Sequence, residues 1–110
     1  MPLPLQITVR NLAHPEALDA LIRERAERLQ HFHPRILSCR VVVELAARHQ
    51  RKGKQLGVRI DLRVPGAEIS VDHPHDEDAR IAVRDAFDAA QRKLEDQLRI
   101  QRGDVKAHSR

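Results

Sequence analysis

The 110-residue sequence predicts an α+β fold of order βαβββα, a four-stranded mixed sheet with two helices packed on one face. Three observations carry this. Four segments alternate apolar and polar residues, two longer segments repeat apolar residues at helical spacing, and each of the six has a single face to hide. At this length the chain supports one core, so residues 1–102 are read as a single domain followed by a polar tail over 103–110.

The first strand rests on Leu3, Leu5, Ile7 and Val9 alternating with polar neighbours, its start confined to an edge by Pro2 and Pro4. A helix over about residues 15–32 follows, because Leu18, Leu21, Ile22, Leu29 and Phe32 recur at helical spacing and Pro15 suits a first turn. Pro34 ends it, lacking an amide donor and disfavouring helical geometry before it. A second strand begins near Ile36, with Val41, Val43 and Leu45 on one face. Leu56, Val58, Ile60, Leu62 and Val64 form the apolar row of the third. Between them, Arg48, Arg51, Lys52 and Lys54 read as an exposed basic hairpin.

Pro65-Gly66 suits a tight type II turn, after which Ile69 and Val71 make a short fourth strand that His73-Pro74-His75 is expected to break. Asp76, Glu77 and Asp78 place carboxylates at the start of a long helix, where its dipole is positive. Ala79, Val83, Ala86, Phe87, Ala90, Leu94 and Leu98 continue that helix to about residue 102, and Gly103 is a suitable stop. The first two strands, joined through a helix, should pair in parallel, and the last three as antiparallel hairpins. The second face of the sheet is polar and should stay wet.

Composition narrows the function. With 33% charged residues and 41% hydrophobic ones, the chain can bury a core beneath a strongly ionised surface. Phe32 and Phe87 are its aromatics, which excludes single-strand binding modules built on rows of stacked rings. Net charge is +4, and 16 of the 20 cations are Arg, whose planar fork of donors fits phosphate oxygens. One cysteine, no signal-like start and no long apolar run point to the cytosol. No catalytic constellation or phosphate-cradling glycine loop is present, so no enzyme, cofactor or small-molecule substrate is expected. His31 with His33 and His73 with His75 lack a strong zinc spacing, so no metal is expected either. Cys39 reads as a small packing residue.

The cations are more informative once set on helices. At about 100° per residue, Arg80, Arg84, Arg92, Arg99 and Arg102 share one flank of the second helix, spanning about 120°, while Lys93 falls on the other shoulder of the apolar stripe. Asp88 and Glu95 lie among these arginines, where intrahelical ion pairs are the simplest reading. The first helix adds Arg23, Arg25 and Arg28, and with Arg80, Arg84, Arg92, Lys93, Arg99, Arg102 and Lys106 these are the candidate RNA-binding residues, the basic hairpin being a secondary patch; Arg25 lies within the apolar stripe, so its head group must snorkel to the rim between the helices.

Several segments together resemble a known family. They are Leu5-Gln-Ile-Thr-Val-Arg-Asn11, Ala17-Leu-Asp-Ala-Leu-Ile ending in Arg28-Leu29, Val41-Val-Val-Glu44, Val64-Pro-Gly-Ala-Glu68, Ala82-Val-Arg-Asp-Ala-Phe-Asp88 and Lys93-Leu-Glu-Asp-Gln-Leu98. In order and spacing they are similar to the bacterial ribosome hibernation-promoting factor and ribosome-associated inhibitor family, sigma-54 modulation protein-like, over residues 3 to about 106. The resemblance implies an architecture like that of double-stranded RNA-binding domains. It also implies binding to the small ribosomal subunit, 16S rRNA and ribosomal proteins included, in the channel for mRNA and tRNA, and silencing of translation under stress or in stationary phase. It assigns RNA contact to Arg25, Arg28 and Lys93, with support from Arg92, Arg99, Arg102 and Lys106. Arg80 stands where many relatives carry Tyr, and Asp96 where a basic residue is common. The chain resembles the short form, without the C-terminal dimerisation domain of long members. A protein-binding regulatory module using the sheet edge and charged helices is the alternative, and a metal hydrolase built on the paired histidines a more distant one.

Overall fold

The computed structural model describes residues 4–13, 15–47, 54–75 and 78–103. It has the predicted order: β1 (Leu5–Arg10), α1 (Pro15–Phe32), β2 (Ser38–Ala47), β3 (Lys54–Val64), β4 (Ala67–His75) and α2 (Ala79–Arg102). The strands lie in sequence order across one sheet. β1 runs parallel to β2 with Ile7 opposite Val41, and the antiparallel pairs set Val41 opposite Ile60 and Ile60 opposite Val71. That register puts Val41, Val43, Val58, Ile60 and Leu62 on one face, where they are fully buried. Both helices cover this face: Leu18, Ile22, Ala26 and Leu29 come from α1, and Ala82, Val83, Ala86, Phe87, Ala90 and Leu94 from α2. A core so dominated by aliphatic side chains follows from the scarcity of aromatics.

Local devices hold the joints. Asn11 takes a left-handed backbone (φ 62°), which Asn tolerates better than most residues, and its Nδ2 donates to the Leu45 carbonyl at 3.3 Å, tying the β1–α1 turn to β2. The Leu37 amide donates to the Arg63 carbonyl at 2.7 Å, so the segment after α1 joins the sheet before β2 begins. Asp78 caps α2 by accepting from the Arg80 amide at 2.7 Å, and Gly103 (φ 83°) closes its C-terminus in the left-handed conformation. Gln101 Nε2 donates to the Pro65 carbonyl at 3.0 Å, fastening the end of α2 to the β3–β4 turn. In that turn Gly66 (φ 81°) occupies the left-handed position a type II turn requires.

Two expectations are corrected. β4 is not short: it continues through His73-Pro74-His75, with Pro74 opposite Gly57. As an edge strand it pairs on one side only, so a residue without an N–H is tolerated where that group would face outward. Phe32 is not part of the core: it is 65% exposed, against 4% for Phe87. As the last residue of α1 it lies one turn beyond Leu29 and turns toward α2 at the rim of the core. The expected starts of the first two strands also shift, to Leu5 and Ser38, and Leu3 lies outside the described residues.

Candidate nucleic-acid interface

Where α1 and α2 run side by side they leave a small cleft of about 70 Å³, lined by Arg25, Arg28, Leu29, Phe32, Phe87, Asp88 and Gln91. Helical geometry explains who lines it. Arg25, Arg28 and Phe32 occur at spacings of three and four, which places them on one flank of α1, as do Asp88 and Gln91 on α2. Arg25 is half-buried, its stem packed at the rim as its place in the apolar stripe required.

At one end of the cleft, His33 Nε2 meets Glu95 Oε2 at 3.3 Å, and Gln91 Nε2 donates to the same oxygen at 3.0 Å. The Gln91 hydrogen bond, against some opposing burial and with help from His33, holds the Glu95 carboxyl below its ordinary range. This contact ties the residue after α1 to α2. On the α2 side, Arg84, Asp88 and Arg92 succeed one another at four-residue intervals, the spacing that favours ion pairs. None forms: Arg25, Arg84, Asp88 and Arg92 have no ion pair or side-chain hydrogen bond among the described residues.

The other predicted site residues are distributed differently. Arg23 lies on the far flank of α1 and is paired with Asp19 at 2.8 Å, while Arg28 has a loose contact with Glu24 at 3.7 Å. Arg99 pairs with Asp96. Arg80 opens α2, and Arg102 closes it beside Arg35, Pro65, Leu98 and Gln101 in a second depression. Lys93 is on the opposite shoulder of α2, where its Nζ donates to the Ser70 carbonyl on the outer edge of β4 at 2.8 Å. Lys54 opens β3 opposite Ala47, and Arg48, Arg51, Lys52 and Lys106 lie outside the described residues. The exposed ring of Phe32, packed edge-on against His31 at 5.2 Å between centroids, is a cleft feature the periodicity concealed by assigning it to the core.

On the open face of the sheet, Asp61 is the centre of an internal polar cluster, while Arg40, Arg63, Glu68 and Asp72 stay exposed without a side-chain hydrogen bond or ion pair among the described residues. Asp61 accepts from Ser70 Oγ at 2.6 Å and Arg59 Nε at 3.3 Å; burial alone would raise its pKa, yet these bonds and the charges of Arg59 and Arg40 hold it below the ordinary value. Beneath, the Cys39 thiol is pushed up to about 12 by burial and by Asp61, which leaves it unreactive. No group of three or more His, Cys, Asp or Glu gathers to hold a metal among the described residues, and no helix there is long and apolar enough to cross a membrane.

A single mixed sheet backed by two helices, with Arg25 and Arg28 at the interhelical cleft and Arg84 and Arg92 unpaired on α2, defines the class of small α+β domains that present a cationic helical surface. The chain belongs to the sigma 54 modulation protein / S30EA ribosomal protein family, whose pattern matches residues 5–102. Its fold is similar to that of a ribosomal subunit interface protein from Coxiella burnetii, with a TM-score of 0.61 and 19% identity over 92% of this chain and 99% of that one. It is also similar to the N-terminal domain of Protein Y from Thermus thermophilus, with a TM-score of 0.60 and 18% identity over 87% of this chain and 98% of that one. A comparison with curated protein sequences finds no match.

Proposed function

We propose that the protein associates with the ribosome and binds the small subunit through the α1–α2 surface, occupying the channel used by mRNA and tRNA and silencing translation in stressed or resting cells. Membership of the S30EA ribosomal protein family is the observation that carries ribosome association. The cleft supports RNA as the contact. Arg25, Arg84 and Arg92 are free of internal partners, and an unpaired guanidinium meets phosphate without first breaking a bond inside the protein. Such contacts give affinity without reading base sequence, which suits a structured RNA surface. The protein acts by occupancy rather than catalysis, and its place of work is the cytoplasm.

Co-sedimentation with purified 30S and 70S particles across a salt series tests this. About six phosphate contacts predict roughly a thousandfold loss of affinity between 50 and 200 mM salt. Absence of pelleting with either particle at low salt would refute ribosome binding. Pelleting with 70S but protection of only large-subunit rRNA in a footprint would overturn the assignment to the small subunit.

A further inference from the structure

We propose that the α1–α2 cleft is a nucleobase slot: Phe32 stacks an unpaired base and the Asp88 carboxylate accepts from its Watson–Crick edge, guanine fitting best. The proposal deepens the ribosome-binding reading by naming what the cleft holds, and rests on that reading only for the source of the RNA.

Two observations carry it. The first is Phe32, 65% exposed although the chain has only one other aromatic ring, Phe87, which is buried at the floor of the same cleft. Exposed, it offers a flat apolar face beside two arginines, the combination on which unpaired bases stack with their phosphates held nearby. The second is Asp88. A carboxylate sharing the cleft with Arg25 and Arg28 weakens a surface meant for phosphate alone, and it is not spent on an internal ion pair, although Arg84 and Arg92 stand at the helical spacing to provide one. Its negative charge repels phosphate and attracts base donors. Guanine presents adjacent N1–H and N2–H donors that match the two carboxylate oxygens, whereas uracil offers a single N–H flanked by carbonyls. The Gln91 side-chain oxygen, left over when its Nε2 binds Glu95, is a further acceptor on the same wall. Because the enclosed volume is smaller than a base, the base lies over the cleft with its edge directed in rather than being swallowed whole.

The test is fluorescence anisotropy of the full-length chain with short oligouridines carrying one central guanosine, inosine or uridine, alongside 30S co-sedimentation. Guanosine should bind more tightly than inosine, which lacks the N2 amine. Phe32→Leu, equal in apolarity but without a ring, should weaken guanosine binding about tenfold while leaving the salt slope unchanged, and Phe32→Tyr should retain it. Asp88→Asn should erase the guanosine preference while leaving oligouridine binding at least as tight. Equal binding of guanosine and inosine by the wild type, or wild-type affinity in Phe32→Leu, overturns the slot. Weakened 30S pelleting of Phe32→Leu with unchanged oligonucleotide binding also overturns it, by showing that the ring rests on a ribosomal protein. Oligonucleotide discrimination without 30S binding would refute the ribosomal reading and leave the slot standing, so the two failures are distinguishable.

Discussion

The centre of the open sheet and the α1–α2 cleft hold their carboxylates differently. On the open sheet, Arg59, Asp61 and Ser70 close on one another at 2.6 to 3.3 Å, and Arg10 reaches toward Glu44 at 3.9 Å. In the α1–α2 cleft Arg25 and Asp88 are left unsatisfied by the protein, as are Arg84 and Arg92 one turn to either side of Asp88 on α2. Paired charges contribute to the fold and leave little field outside; unpaired ones contribute little to the fold and remain available to a partner. Charge count alone therefore does not locate an interface. Unpaired cations beside an exposed ring, as Arg25 and Phe32 stand in the cleft, are a narrower mark than either charge count or pairing alone.

Substitutions can break this contrast from either side. The largest effect is expected from reversing the cleft: Arg25→Glu with Arg28→Glu should weaken 30S pelleting by about a hundredfold or more, and removing two phosphate contacts should lower the slope of log affinity against log salt by about 2. Thermal unfolding should remain close to wild type, because the head groups contribute only a loose Arg28–Glu24 contact. A large loss of stability would show that Arg25 is a core strut rather than a ligand. The converse variant, Asp61→Asn on the sheet, should cost about 1 to 3 kcal/mol in chemical denaturation and leave pelleting unchanged, since it disturbs a shielded carboxylate that accepts two bonds.

A smaller and sharper contrast concerns acid. Asp61 and Glu95 both have pKa values lowered by folding, so each adds stability that is complete above the unfolded-state pKa and is lost as pH falls through the folded value. Unfolding free energy should therefore decline as pH drops through and below the ordinary carboxylate range. Asp61→Asn should flatten much of that decline and Glu95→Gln a lesser part, Glu95 being the more exposed. The smallest effect is expected at Gly57. A Cβ built there meets nothing nearer than the Glu44 carbonyl at 4.0 Å, so Gly57→Ala should raise stability by about 0.4 to 1 kcal/mol in the same denaturation assay without altering pelleting.

Much of this was legible in the residues. The alternation of Leu56, Val58, Ile60, Leu62 and Val64 states which face of β3 is buried, and the stripe from Val83 to Leu94 does the same for α2, because burial imposes those periods. Periodicity does not say how far a strand's backbone pairing extends. Pro74 looked like a terminator, but a strand with one neighbour has outward backbone groups to spare. Nor does periodicity separate the centre of an apolar stripe from its rim: Phe32 continues the spacing of α1 past the point where the sheet can cover it. The arginine flank of α2 was visible, but its freedom from Asp88 was not, since spacing permits a pair and side-chain position decides whether it forms. Lys93 shows the same limit. Its place away from the cleft follows from helical geometry, while its bond to Ser70 depends on a strand edge no local pattern describes.

That bond has a consequence for how copies of the chain behave in concentrated solution. On an outer strand alternate residues turn their hydrogen-bonding groups away from the sheet, and Ser70, Asp72 and Pro74 share that phase. With the Ser70 carbonyl occupied by an ammonium group, an anion at Asp72 and no amide hydrogen at Pro74, β4 offers no continuous ladder on which a second molecule could lay down a strand. The domain thereby guards its flank against edge-on fibril growth while its helices stay open for business of another kind.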